Sequence, residues 1–325
     1  MNLTGLTDLT ELTAGPPSPS DRRCAEVVHI ARKIDKNPCT DRALTDLFDC
    51  QAQLAPRIRS SMEIDVLGHV SLAAGGQRVT PSAAKTKQVL TLLLVNANHL
   101  VTLPTLIEEL WDEHPPATAV STLQTYVFQL RRLLAHLLPE ESPKEILATT
   151  PNGYVFHVGP GELDLHRYED LVDRGRRAFV AGDHENAAKC LRSAEQLFAG
   201  PALADIRPGC HLQAEIVRLE AARTGSLEIR IEAELALGKH HELLGELSGL
   251  ASRHPQHENF HRQLMLALYR CGSRPRALEV FNRLRRALVE DLGLEPSAEL
   301  QRLQRSILAA DPRLSRPERP ATVGG

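Results

Sequence analysis

Two groups of residues in this 325-residue chain have types and spacings that could do chemistry. The first is His257-Glu258-Asn259-Phe260-His261, a match to H-E-x-x-H. On a helix that spacing puts two imidazoles on one face with a carboxylate between them, the arrangement by which zinc proteases hold a metal and activate water. The second group lies on a segment from about Ala117 to Leu138. At 3.6 residues per turn Leu123, Val127, Leu130, Leu134 and Leu137 gather on one stripe, and Thr118, Ser121, Thr125, Gln129 and Arg132 face the other way. Glutamine and arginine can bond adenine and guanine bidentately at the major-groove edge, and threonine and serine suit phosphates or thymine methyl groups. Lys85 and Lys87 add cations that could touch a nucleic-acid backbone or simply be solvated.

The sequence weighs these two readings differently. H-E-x-x-H fixes only three positions in a chain with 14 histidines, and it begins two residues after Pro255, where a structural helix starts. Glu279, a conceivable third ligand, falls inside the next repeat helix, so solvated residues on a first turn are the favoured reading and a metalloprotease the alternative. Six cysteines (Cys24, Cys39, Cys50, Cys190, Cys210 and Cys271) form no C-x-x-C pair and no tetrahedral metal spacing. No metal, no cofactor and no enzyme activity are expected, and the cysteines read as reduced thiols of a cytoplasmic protein. Asp8 and Glu11 replace the basic head of a secretory signal, and no apolar run approaches the roughly 20 residues of a membrane span.

Charge constrains the second reading. The chain carries a net charge of −3, and residues 62 to 160 hold six basic and nine acidic groups. A nucleic-acid partner would therefore meet local rather than overall positive charge.

The elements that must position these residues are legible from periodicity. Hydrophobic residues make up 42% of the chain but aromatic residues only 4%, which favours helix-rich packing by Leu, Ala and Val. Residues 1 to 61, with PPSPS at Pro16 to Ser20, read as a weakly structured arm. From Met62, alternation of Ile64, Val66, Val70, Leu72 and Val79 around Gly75-Gly76 predicts a small antiparallel sheet. Beyond Pro81 the period becomes helical through Leu94. Thr102 is a fair cap for a second helix that buries Leu106, Leu110 and the lone Trp111, and the segment from Ala117 makes a third. Pro151-Asn152-Gly153 turns a hairpin between two β-prone runs.

Three helices with small antiparallel sheets over residues 62 to 160 describe a winged helix-turn-helix. Residues 161 to 311 are expected to be helical throughout, with Gly182, Gly238 and Gly272 each punctuating a helix pair and the last two 34 residues apart. That is the period of a tetratricopeptide repeat. The fold class expected is mainly α, a winged helix-turn-helix followed by an all-α tetratricopeptide-like repeat domain and a disordered tail over residues 312 to 325. A pure repeat scaffold would explain the second part but leave the first idle.

The motifs Leu106-Ile107-Glu108-Glu109-Leu110-Trp111, Thr122-Leu123-Gln124-Thr125-Tyr126, Gln129-Leu130-Arg131-Arg132-Leu133 and Gly153-Tyr154 resemble the Streptomyces antibiotic regulatory proteins. Gly200-Pro201-Ala202-Leu203-Ala204-Asp205, Gln263 to Arg270 and Leu292-Gly293-Leu294-Glu295-Pro296 are similar to that family's bacterial transcriptional activation domain. The resemblance spans about residues 62 to 311. It implies a pathway-specific transcriptional activator of secondary-metabolite genes that binds direct repeats in double-stranded promoter DNA, associates with itself there, and contacts RNA polymerase and its sigma factor. Thr122 on the helix and Asn152 in the wing turn are candidate DNA contacts as well, beside Lys85, Lys87, Thr118, Ser121, Thr125, Gln129 and Arg132. Two departures stand out: the wing turn Thr149 to Gly153 lacks the family's usual basic residue, and no G-x-x-x-x-G-K-[ST] nucleotide loop follows.

Overall fold

A computed structural model describes residues 62–315. The arm expected over residues 1 to 61 and the tail beyond 315 lie outside the described residues. The first sheet orders β1 (Glu63–Asp65), β2 (Ser71–Ala74) and β3 (Gln77–Val79) antiparallel, with Ile64 opposite Leu72 and Leu72 opposite Val79. These alternate residues fall on one face, and Ile64 and Leu72 are fully buried. Helix α1 (Ala84–Val95) follows, then strand β4 (Val101–Thr102) and helix α2 (Leu103–Trp111). Thr102 caps α2 as expected, its hydroxyl accepting the Thr105 amide at 3.3 Å.

Helix α3 (Ala119–Leu137) is the expected third helix. A short helix α4 (Pro143–Ile146) leads into β5 (Leu147–Thr150) and β6 (Gly153–Phe156). The predicted hairpin is in fact a three-stranded sheet, β4-β6-β5, because Val101 and Thr102 add an edge strand. Two residues are too short to show a period-two pattern.

Helices α5 (Asp164–Val180), α6 (His184–Glu195), α7 (Cys210–Ala236), α8 (His240–Arg253), α9 (Glu258–Arg270), α10 (Arg274–Leu292) and α11 (Ala298–Leu308) complete the fold. Gly182, Gly238 and Gly272 join α5 to α6, α7 to α8 and α9 to α10 with φ of 78°, 83° and 77°. At each, the glycine amide bonds the carbonyl three residues back and the next amide bonds the one five back, as in Asp183 to Ala178, Lys239 to Glu234 and Ser273 to Leu268. This is one Schellman stop used three times, and only glycine enters its left-handed position without strain. Arg230 of α7, fully buried, ties three elements through Glu195 (3.0 Å), Glu234 (2.9 Å) and Glu246. The tail expected from Pro312 begins with a 3-10 turn, Pro312–Ser315, whose Leu314 carbonyl accepts the Arg270 Nε–H at 2.9 Å.

One expectation is corrected. The second part is not helical throughout, since residues 197 to 209 leave the helical path between α6 and α7 and pack on the winged helix. There the Ala199 amide bonds the Leu67 carbonyl at 3.0 Å and the Ala204 amide bonds that of Gly68 at 3.0 Å. The core follows: one buried cluster runs from Met62 through Leu219, and a second gathers residues from Ile231 to Ile307. The change near residue 160 is one of element type, while the packing is continuous across it.

Candidate nucleic-acid interface

Helix α3 is held on three sides. Leu123, Val127, Leu130 and Leu134 are at most 2% exposed and anchor it to the core. Along one edge the Arg131 guanidinium donates to the Leu147 carbonyl at 3.1 and 2.6 Å and to the Thr149 hydroxyl at 2.8 Å. Arg131 therefore braces the wing against the helix rather than reaching for phosphate. Along the other edge the Thr86 hydroxyl of α1 donates to Gln129 Oε1 at 2.8 Å. Gln129 is exposed but its acceptor oxygen is engaged, so a bidentate pairing with adenine would require that bond to open.

Between those edges lies the outward face, with Ser121, Thr125 and Arg132 exposed. The Ser121 and Thr125 hydroxyls turn back onto the carbonyls of Thr118 and Ser121, both at 3.0 Å, which leaves their oxygens and the threonine methyl outward. Arg132 has no hydrogen bond or ion pair among the described residues and sits about 180° from Leu123 on the helix. Phe128, about 140° from Leu123, is 61% exposed beside it. An apolar ring on a polar face is costly in water and useful against a thymine methyl group. The angle of Phe128 from the leucine stripe places it outside already in the sequence, but its apolar type does not mark it as a base contact. Thr118 stands at the N-cap position, Thr122 is half-buried, and Asn152 is exposed at the wing tip with its carbonyl accepting the Leu103 amide at 3.0 Å.

The two lysines depart from expectation. Lys87 is 16% exposed and pairs with Asp205 at 2.5 Å, so it faces the helical part and leaves the phosphate role assigned to it. Burial alone would raise the Asp205 pKa, but the Lys87 ammonium and the Val70 amide hold it below the usual carboxylate value. The Lys85 ammonium donates to the Leu110 carbonyl at the end of α2 and lies 6.0 Å over the Trp111 ring. Arg78 pairs with Asp65 at 2.5 Å. Arg132 is thus the exposed cation of α3 that the fold leaves unengaged.

Two carboxylates fix the platform behind this face. Glu109 of α2, 3% exposed, accepts the amides of Gly209 (2.6 Å), His211 (3.0 Å) and Leu212 (3.1 Å) at the start of α7, and the Gln88 side chain at 2.8 Å. A Cβ on Gly209 would lie 2.2 Å from the Glu109 carbonyl oxygen, so the approach requires glycine there. Asp164, at the start of α5, accepts the Val66 and Leu67 amides at 2.8 to 2.9 Å, while its burial pushes its pKa up to about 6.

The H-E-x-x-H residues are spent on structure. Glu258 accepts the Ser297 amide at 3.0 and 3.2 Å, His257 Nε2 meets Glu228 at 3.0 Å, and His261 is buried with its Nδ1 3.0 Å from the His257 carbonyl oxygen. Burial lowers the His261 pKa and favours the neutral ring.

A winged helix whose third helix is left uncovered by the other described residues, docked on a helical-repeat domain, is the architecture of a DNA-binding transcriptional regulator. Comparison with known proteins agrees. Residues 77–156 match the family described as "Transcriptional regulatory protein, C terminal", and residues 163–308 match the "Bacterial transcriptional activator domain". The regulatory protein DnrI of Streptomyces peucetius is 44% identical over 267 residues, covering 81% of this chain and 98% of that protein. The transcriptional regulator RedD of Streptomyces coelicolor is 32% identical, with 79% and 73% covered. AfsR of Streptomyces griseus is 34% identical, but this chain spans only 26% of its length. The solved structure of Mycobacterium tuberculosis EmbR superposes with a TM-score of 0.74 at 29% identity, covering 80% of this chain and 66% of that one. The chain belongs to the Streptomyces antibiotic regulatory protein family.

Proposed function

We propose that the protein activates secondary-metabolite biosynthetic genes by binding direct repeats in promoter DNA as two or more copies arranged head to tail. Residues 62 to 160 form the DNA module, and α3 enters the major groove with Arg132 against guanine, Phe128 against a thymine methyl, and Thr125, Ser121 and Thr118 on methyl or phosphate groups. Gln129 supplies its amide N–H groups from the helix edge, and Asn152 lies where a wing meets the backbone. Residues 161 to 311 couple neighbouring copies and recruit RNA polymerase with its sigma factor.

The observation that carries this reading is the shortage of free cations among the described residues of the module: Lys85, Lys87, Arg78 and Arg131 are engaged by groups of the protein itself, which leaves Arg132 on the outward face of α3 and Lys144 on α4. Sequence-independent affinity comes from neutralised phosphates, so one copy binds weakly. Linking two weak sites raises apparent affinity by about 10² to 10⁴. Head-to-tail contacts require direct repeats, whereas a two-fold dimer demands inverted half-sites. The test is a titration of the full chain on single, tandem and inverted half-sites. Tandem sites bound far more tightly than single ones support the reading, and equal affinity for one half-site, or preference for the inverted pair, overturns it.

A further inference from the structure

The docking of α2 on α7 brings together three side chains that lie about 100 residues apart in sequence. Glu108 Oε2 is 3.0 Å from His211 Nε2, and Cys210, the first residue of α7, stands beside them. One ligand atom from each of Glu108, Cys210 and His211 lies within 4.8 Å of the other two, the cluster of metal-ligand types found among the described residues. We propose that Glu108, Cys210 and His211 form a zinc site that clamps the DNA module to the helical domain.

The ligand chemistry selects the ion. A thiolate excludes the hard cations magnesium and calcium, and a mixed thiolate, imidazole and carboxylate set suits zinc. Tetrahedral zinc with ordinary bond lengths places its ligand atoms roughly 3.5 Å apart. The Glu108–His211 contact at 3.0 Å is about half an ångström shorter than that spacing and the three atoms lie within 4.8 Å of one another, so small rotations of the partly exposed side chains bring them to it. Three protein ligands leave the fourth position to water.

The surroundings favour the ion in two further ways. Desolvation and the negative charge of Glu108, Glu109 and Asp112 hold the free Cys210 thiol above its usual pKa, and the same negative charge attracts a dication, which offsets that cost once bound. The same Glu109 binds the amides of Gly209, His211 and Leu212, which fixes the turn that carries two of the ligands. Exposure of Glu108 and Cys210 gives the ion an entry path. On binding, the Cys210 thiol loses its proton to solvent, the neutral His211 ring donates its Nε2 lone pair, and the Glu108 carboxylate gives up its contact with the ring for the metal, so affinity rises with pH.

The experiment uses the reduced full chain, stripped with chelator and titrated with cobalt(II) as the probe, followed by the thiolate-to-cobalt charge-transfer absorption. One equivalent is expected to produce the band, zinc to displace cobalt, and added zinc to raise the midpoint of thermal unfolding. Cys210→Ser, at an exposed position, should abolish the band without changing the metal-free midpoint. Glu108→Gln and His211→Asn should each weaken cobalt binding at least tenfold, whereas Cys271→Ser and His257→Asn leave it unchanged. Absence of a band in the parent chain, a band that survives Cys210→Ser, or affinity unaltered by both Glu108→Gln and His211→Asn would each overturn the site.

Discussion

Replacing Glu109 with alanine attacks the joint between the DNA module and the helical domain at its best-connected point. The carboxylate accepts three backbone amides at the start of α7 and the Gln88 side chain at 2.6 to 3.1 Å, and it is 3% exposed. Each hydrogen bond to a charged group contributes about 1.5 to 3 kcal/mol, but the four share one carboxylate and do not add. Removing one partner of a buried charged network costs about 3 to 5 kcal/mol, because the donors left behind lose both carboxylate and water. The orphaned groups here include helix N-terminal amides, so a loss of about 4 kcal/mol is expected for Glu109→Ala. At about 2 to 4 °C per kcal/mol for a unit of this size, the thermal midpoint falls by roughly 8 to 16 °C. Glu109→Gln keeps one acceptor oxygen and should lose about half as much. Thermal and urea unfolding followed by circular dichroism measure both variants. A Glu109→Ala protein within about 1 kcal/mol of the parent would show that the joint does not depend on this cap.

Two further outcomes follow from the buried charges. Asp164 has a pKa raised from 3.8 to about 6, so its stabilising contribution is present below about pH 4 and is lost as pH rises through 6. Relative to Asp164→Asn, the parent chain should lose up to about 3 kcal/mol over that window; parallel stability-versus-pH curves for the two would contradict the assignment. Lys87→Ala removes the partner of Asp205 and should cost about 1 kcal/mol of stability while leaving affinity for random-sequence DNA unchanged. A uniform loss of DNA affinity without loss of stability would return Lys87 to the phosphate backbone.

How far the sequence revealed these features depends on the range of the interaction. The leucine stripe of α3, the Thr102 cap and the three glycine stops are local, set by side-chain period or backbone conformation, and each is visible in a short window. Phe128 was equally visible as an aromatic residue on the wrong side of a leucine stripe. The partners of Glu109, Lys87 and Asp164 were not, because they lie about 100 residues away: those of Glu109 and Lys87 arrive only when residues 197 to 209 fold back, and Asp164 meets Val66 and Leu67 where α5 starts beside β1. The same distance hid the Glu108–Cys210–His211 cluster, since spacing rules detect metal ligands only when a loop or helix presents them together. Conversely, the H-E-x-x-H match is local, and the reading that sets zinc chemistry aside agrees with Glu258 capping a neighbouring helix.

The outward face of α3 is proposed to distinguish promoter DNA, and Arg132, exposed, unpaired among the described residues and clear of the core, tests this most directly. Arg132→Ala should bind a footprinted promoter site about 5- to 150-fold more weakly, equivalent to about 1 to 3 kcal/mol, with the same thermal midpoint as the parent. Base-by-base substitution of the site, read by fluorescence anisotropy at fixed salt, should then show preference lost at one base pair and kept elsewhere. If Arg132→Ala keeps both the affinity and the preference at every position, the face of α3 does not read the promoter.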